Sequence, residues 1–198
     1  MAGVRIAQGT DAPGPVELPR LIGYHDDPVR PFALMEPYRG EPLSTLLHRR
    51  QLFEEEQPLF RLGLFRALYV MRSLGLVHRD IRPTNVRWDE AHQSVQLCGF
   101  TCATVDGTPR APVGQGPWAS HEQRDGVGRS DHRDDVWSAA LVLVQALTGH
   151  DVAGGNRLAL EDHPDLAVVL RGVFGGSALQ RPGADVLLGR VTGGTCPM

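Results

Sequence analysis

His78-Arg79-Asp80-Ile81-Arg82-Pro83-Thr84-Asn85 decides how this chain is read, because it sets a carboxylate and an amide five residues apart, between a helical pattern and a short apolar run. An alcohol attacking a phosphate needs a carboxylate near its proton, and the phosphates need a divalent cation held by oxygen ligands. Asp80 and Asn85 suit those two tasks.

Upstream of this stretch, Leu59, Leu62, Leu64, Phe65, Leu68, Tyr69 and Leu74 recur mostly at three- and four-residue steps, which predicts a helix over 58–74 stopped by Gly75. Before it come a short amphipathic helix over 43–50 and the acid run Glu54-Glu55-Glu56, expected to be a solvated turn. Leu21 to Tyr24 and Phe32 to Met35 are short apolar runs around the turn-forming His25-Asp26-Asp27-Pro28, and predict a strand pair. Residues 8–20 are rich in Gly and Pro without helical periodicity, and predict a loop or extended lead-in.

Downstream, Val86-Arg87-Trp88 and Val95-Gln96-Leu97 predict a hairpin, and residues 98–133 a long, mostly irregular polar segment. Residues 134–148 are apolar nearly all round and are followed by Gly149, which predicts a buried helix. Further helices are predicted over 164–173 and 181–191, each with a proline near its start. No internal repeat is seen.

The chain has 198 residues, 41% of them hydrophobic and 22% charged, which suits one globular domain with a sizeable core. A formal net charge of -3 gives no electrostatic argument for nucleic acid or an anionic membrane. Cys98, Cys102 and Cys196 form neither a disulfide framework nor a zinc spacing and are expected to be reduced thiols. No secretory leader or membrane-spanning run is recognised, so the expected location is the cytoplasm.

His78-Arg79-Asp80 with Asn85 resembles the catalytic loop of eukaryotic-type Ser/Thr protein kinases. Other matches follow in the family's order. Val95 to Thr101 looks like the strand leading into Asp-Phe-Gly, with Gly99 at the metal-binding Asp and Phe100 kept. Pro117 to Glu122 resembles the end of an activation segment. Asp135-Val136-Trp137-Ser138 is similar to the buried helix that anchors the catalytic loop, and Arg181-Pro182 matches the late Arg that pairs with the segment's Glu. Phe32 to Gly40 is similar to the last small-lobe strand and hinge.

The resemblance implies an α+β, protein-kinase-like fold: a lead-in over 1–17, residual small-lobe strands and hinge over 18–38, a mainly helical large lobe over 39–192, and a tail over 193–198. It implies Asp80 as catalytic base with Arg82 near the phosphate, where the family usually has Lys. Met35, Glu36, Tyr38 and Asn85 would line a nucleotide site, with Asn85 also a weak metal ligand. His78, Phe100, Glu122, Asp135 and Arg181 would be architectural.

The departures bear on function. No Gly-x-Gly-x-x-Gly and no Lys precede the hinge, whose upstream basic residues are Arg5, Arg20 and Arg30, so the small lobe is expected to be truncated. Gly99 removes a Mg²⁺ ligand. Arg87 stands where the family packs an aliphatic beneath adenine; burying an unpartnered guanidinium is costly, so either it turns to solvent or the pocket is not an adenine pocket.

Three functions follow. The first is a pseudokinase acting as a regulatory or scaffold protein through a protein partner, with no cofactor assured. The second is a Ser/Thr kinase using ATP and Mg²⁺, completed by a partner or an upstream segment. The third is a remnant without activity.

Overall fold

The computed structural model describes residues 15–113, 116–152 and 160–193. Most of the lead-in, Arg5, Cys196 and nearly all of the tail lie outside them. The elements run β1 (Leu21–His25), β2 (Phe32–Met35), β3 (Glu41–Pro42), α1 (Leu43–Leu47), α2 (Glu56–Ser73), β4 (Leu76–Val77), β5 (Val86–Asp89), β6 (Ser94–Leu97), β7 (Thr104–Val105), α3 (His121–Asp125), α4 (His132–Thr148), α5 (Pro164–Val169) and α6 (Ala184–Val191). Small antiparallel sheets pair β1 with β2, β3 with β5 and β5 with β6, and β4 with β7.

Helix α2 buries Phe60, Leu64, Phe65, Ala67, Leu68 and Met71, a stripe at helical spacing. Leu59, Tyr69 and Leu74 of the predicted pattern instead lie on the solvent side. Gly75, at φ 65°, supplies the left-handed stop that a side chain would resist. Gly63 lets α2 approach the β5–β6 hairpin closely, since a Cβ there would lie 3.1 Å from Val95. Against α2 packs α4, which buries Val136 and nearly every residue from Ser138 to Ala146. A capping box between Asp131 and Asp134 starts α4 and Gly149 closes it.

Several expectations are corrected. Residues 98–133 hold β7, α3 and two 3-10 turns, and α4 already begins at His132. Helix α5 stops at Val169, and Gly172 turns the chain at φ 81°. Helix α6 starts at Ala184 rather than at 181, because Pro182 forces Arg181 into extended backbone, φ -69° and ψ 145°.

Glu56 is no solvated turn residue: it is 4% exposed. Its carboxylate accepts from Arg50 at 2.7 and 2.9 Å, from the Phe53 N–H at 2.7 Å and from Trp88 Nε1 at 3.0 Å. The Arg50 guanidinium holds this carboxyl below its ordinary range.

Candidate active site

The His78–Asn85 loop leaves β4 and enters β5, and its shape is imposed from α4. The buried Asp135 carboxylate accepts the N–H groups of His78 at 2.6 Å and Arg79 at 2.8 Å. Burial pushes the Asp135 carboxyl up to about 7, against the downward pull of those two donors. Arg79 sits at φ 65°, a conformation that side chains resist and that this clamp sustains. Its Nε donates to Cys102 O at 2.6 Å, and its own carbonyl accepts from Gln123 Nε2 at 2.6 Å.

His78 is fully buried. Its Nε2 donates to Cys98 O at 3.0 Å, its Nδ1 accepts from the Asp80 N–H at 3.3 Å, and its ring packs on Phe100 at 4.7 Å between centroids. One donor and one acceptor define a neutral imidazole, and burial lowers its pKa accordingly. Phe100 and His78 thereby fasten the strand from β6 to the loop.

Asp80 is accessible, with its side chain 13% exposed, and Oδ1 lies 3.3 Å from Arg82 Nε. Its Oδ2 and its backbone oxygen both accept from Asn85 Nδ2, each at 2.8 Å. Opposite stands Gly99 at φ 80°, where an added Cβ would lie 2.7 Å from Asn85 Cγ and Oδ1. The Asn85 amide thus fills the space in front of Gly99, and Asn85 Oδ1 is its remaining oxygen donor. A groove lined by Ser44, His48, Arg82, Thr84, Trp118 and Gln145 opens beside the loop.

The hinge is held from below. Met35 ends β2 opposite Leu21, the Glu36 N–H donates to Arg20 O at 2.9 Å, and Tyr38 is exposed. Arg87 does not turn wholly to solvent: half-buried, it donates Nε to Arg39 O at 2.9 Å and Nη2 to Gly40 O, with its guanidinium carbon 5.8 Å from the Tyr38 ring centroid. Gln96 Oε1 accepts the Arg39 N–H at 2.9 Å. A guanidinium with two carbonyl partners occupies the hinge end of the β5–β6 hairpin.

A second polar cluster ties the 98–133 segment to the helices. Arg181 Nη2 donates to both Glu122 oxygens, at 2.9 and 2.7 Å, and the Ala178 N–H donates to the same carboxylate at 2.7 Å. Burial alone would raise the Glu122 pKa, but these donors hold it down at about 2. Sequence reasoning missed the other half of the cluster: Arg110 donates Nε and Nη2 to Asp134 at 3.0 and 2.9 Å, and Ser120 Oγ donates to Asp134 at 3.0 Å. Nothing in the polar stretch around Arg110 marks it as a partner for Asp134. Gln123 was equally silent.

Among the described residues no helix is long and apolar enough to cross a membrane. A family model described as protein kinase domain matches residues 17–167. The chain is 32% identical over 133 residues to a probable serine/threonine-protein kinase of Streptomyces coelicolor, covering 63% of this chain and 20% of that protein. It is 31% identical to the MAP kinase-interacting serine/threonine-protein kinase mnk-1 of Caenorhabditis elegans, over 66% of this chain and 22% of that one. With the mitogen-activated protein kinase mpkC of Aspergillus terreus it shares 28% identity over 81% of this chain and 43% of the other. The chain therefore spans less than half the length of these relatives. Matched over most of its length and built around a loop clamped by Asp135, the chain belongs to the protein kinase domain family.

Proposed function

We propose that this domain is a pseudokinase that works as a regulatory or scaffold protein. The observation that carries the proposal is Gly99 facing the Asn85–Asp80 pair, where it supplies no oxygen ligand. A magnesium ion takes an octahedron of oxygen ligands and is held in phosphoryl-transfer sites by carboxylates together with substrate phosphates. Gly99 offers no oxygen where a carboxylate ligand is needed, and Asn85 Oδ1 with Asp80 alone remains beside it, so the residues present do not fit a magnesium–ATP complex. Arg87 on the hinge carbonyls argues in the same direction, because it puts a charge where an apolar floor for adenine would be needed.

The partner is a protein. Leu21, Ile22, Tyr24, Phe32 and Leu34 of the two-stranded β1–β2 sheet are all exposed, a concentration of apolar side chains that a partner's apolar face would cover. The free thiols Cys98 and Cys102 suit a reducing compartment such as the cytoplasm.

One observation favours the second reading, a Ser/Thr kinase completed by a partner: Asp80 and Arg82 stand together beside an open groove, on a loop whose frame is whole. Thermal denaturation with ATP, with and without Mg²⁺, separates the two. A pseudokinase shows no Mg²⁺-dependent rise in Tm and no transfer of radiolabelled phosphate. Robust transfer that Asp80→Ala abolishes would establish the kinase instead.

A further inference from the structure

We propose that Asp106, Asp131 and His132 form a binding site for a zinc-type transition-metal dication, joining the turn after β7 to the head of α4. Backbone pairing brings the two segments side by side: the Gly107 N–H donates to Ser130 O and the Ser130 N–H to Thr108 O, each at 2.8 Å. Asp106 itself is anchored by its N–H on Gly75 O at 2.8 Å.

His132 Nδ1 lies 3.4 Å from Asp131 Oδ1 and 3.7 Å from Asp106 Oδ2, and one ligand atom of each residue lies within 4.8 Å of the others. An ion held tetrahedrally at about 2.0–2.1 Å sets its ligand atoms about 3.3–3.4 Å apart. Small side-chain adjustments bring all three to that spacing. The same separations are too long for sound hydrogen bonds.

The independent observation is His132 itself. Both ring nitrogens are buried without a hydrogen-bond partner, and the side chain is only 11% exposed. Buried polar atoms seldom go unpaired, and an imidazole nitrogen facing the neighbouring Asp131 carboxylate and the Asp106 carboxylate from a second segment is placed to ligate. Asp131 is oriented by the Arg133 N–H, which donates to Oδ1 at 2.8 Å, and by Arg133 Nη1, which donates to Oδ2 at 3.1 Å, and Arg72 is paired with Asp185. Asp106, 40% exposed, leaves the site open to solvent for ion entry and for a water as fourth ligand. One imidazole with two carboxylates selects zinc-like ions over magnesium and calcium, which prefer all-oxygen shells.

The test uses the whole chain stripped of metal and titrated with ZnCl₂ while Tm is followed. Wild type gains about 5–10 °C at saturation, and MgCl₂ has no such effect. Asp106→Asn, on an exposed turn, keeps its Tm in chelator and loses the zinc-induced rise; His132→Ala loses it too. Co²⁺ in place of zinc gives visible d–d absorption without thiolate charge transfer. No rise in wild type, a rise that survives either substitution, or thiolate absorption overturns the site.

Discussion

Asn85 donates its side-chain amide to both the carboxylate and the backbone carbonyl of Asp80, each at 2.8 Å. The two residues that would serve base and metal in a phosphoryl-transfer site are therefore engaged with each other. Gly99 makes this possible: having no side chain, it leaves the space that the amide takes. Around the pair the scaffold is intact, from Asp135 beneath the loop to His78 and Phe100 beside it.

Restoring the missing carboxylate alone does not restore the chemistry. In Gly99→Asp the new Cβ would meet Asn85 at 2.7 Å, and φ 80° is unfavourable for a side chain. The variant loses about 1–2 kcal/mol of stability. Isothermal titration with ATP and Mg²⁺ gives no saturable heat, whereas a Mg²⁺-dependent isotherm would show that Asn85 yields easily.

Glu56→Ala strands Arg50 and the buried Trp88 indole N–H, which lose their carboxylate partner. It lowers stability by about 3 kcal/mol in urea denaturation. Glu55→Ala, at the exposed neighbouring position, stays within about 0.5 kcal/mol. Equal effects at the two positions would refute the assignment of Glu56 to the core.

Acid sensitivity follows from Glu122. Its folded pKa of about 2 lies below the ordinary 4.5, so its stabilisation is fully present above about pH 4.5 and is lost as pH falls toward 2. The linked contribution is about 3 kcal/mol. His78, buried neutral, adds an earlier loss once pH drops below its ordinary 6.5. Subtracting the pH profile of Glu122→Gln from that of wild type isolates the first effect: the difference shrinks between pH 4.5 and 2 and is flat above. A difference that stays constant through the acid range contradicts the ion pair.

Arg110→Ala leaves Asp134, which is wholly buried, without its two-pronged partner. Loss of one member of such a pair costs about 3 kcal/mol. Hydrogen exchange should accelerate at Gly107 and Arg110, whose N–H groups pair with Ser130 O and Gly128 O. Protection unchanged at both amides would mean that the segment is held by other contacts.

Features governed by local chemistry were legible in the chain. The apolar run that became α4, the β5–β6 hairpin and the Gly75 and Gly149 stops depend on periodicity and turn residues within a few positions of one another. The order of the kinase-like stretches likewise announced the family. The Asp135 anchor and the Glu122–Arg181 pair were expected from the resemblance, but the partners of Glu56 and Arg110 were not legible, because each choice is made across the fold: Glu56 meets Trp88 from 32 residues away and Arg110 meets Asp134 from 24. Residue types alone allowed Glu56 to be solvated, and only the packing of α2 on the hairpin took it out of water and required it to be paired. The sequence by itself determined which scaffold this is. The tertiary structure decided that the Asn85 amide nitrogen turns to Asp80 in front of Gly99, since where an amide N–H finds its acceptor depends on the space left beside it.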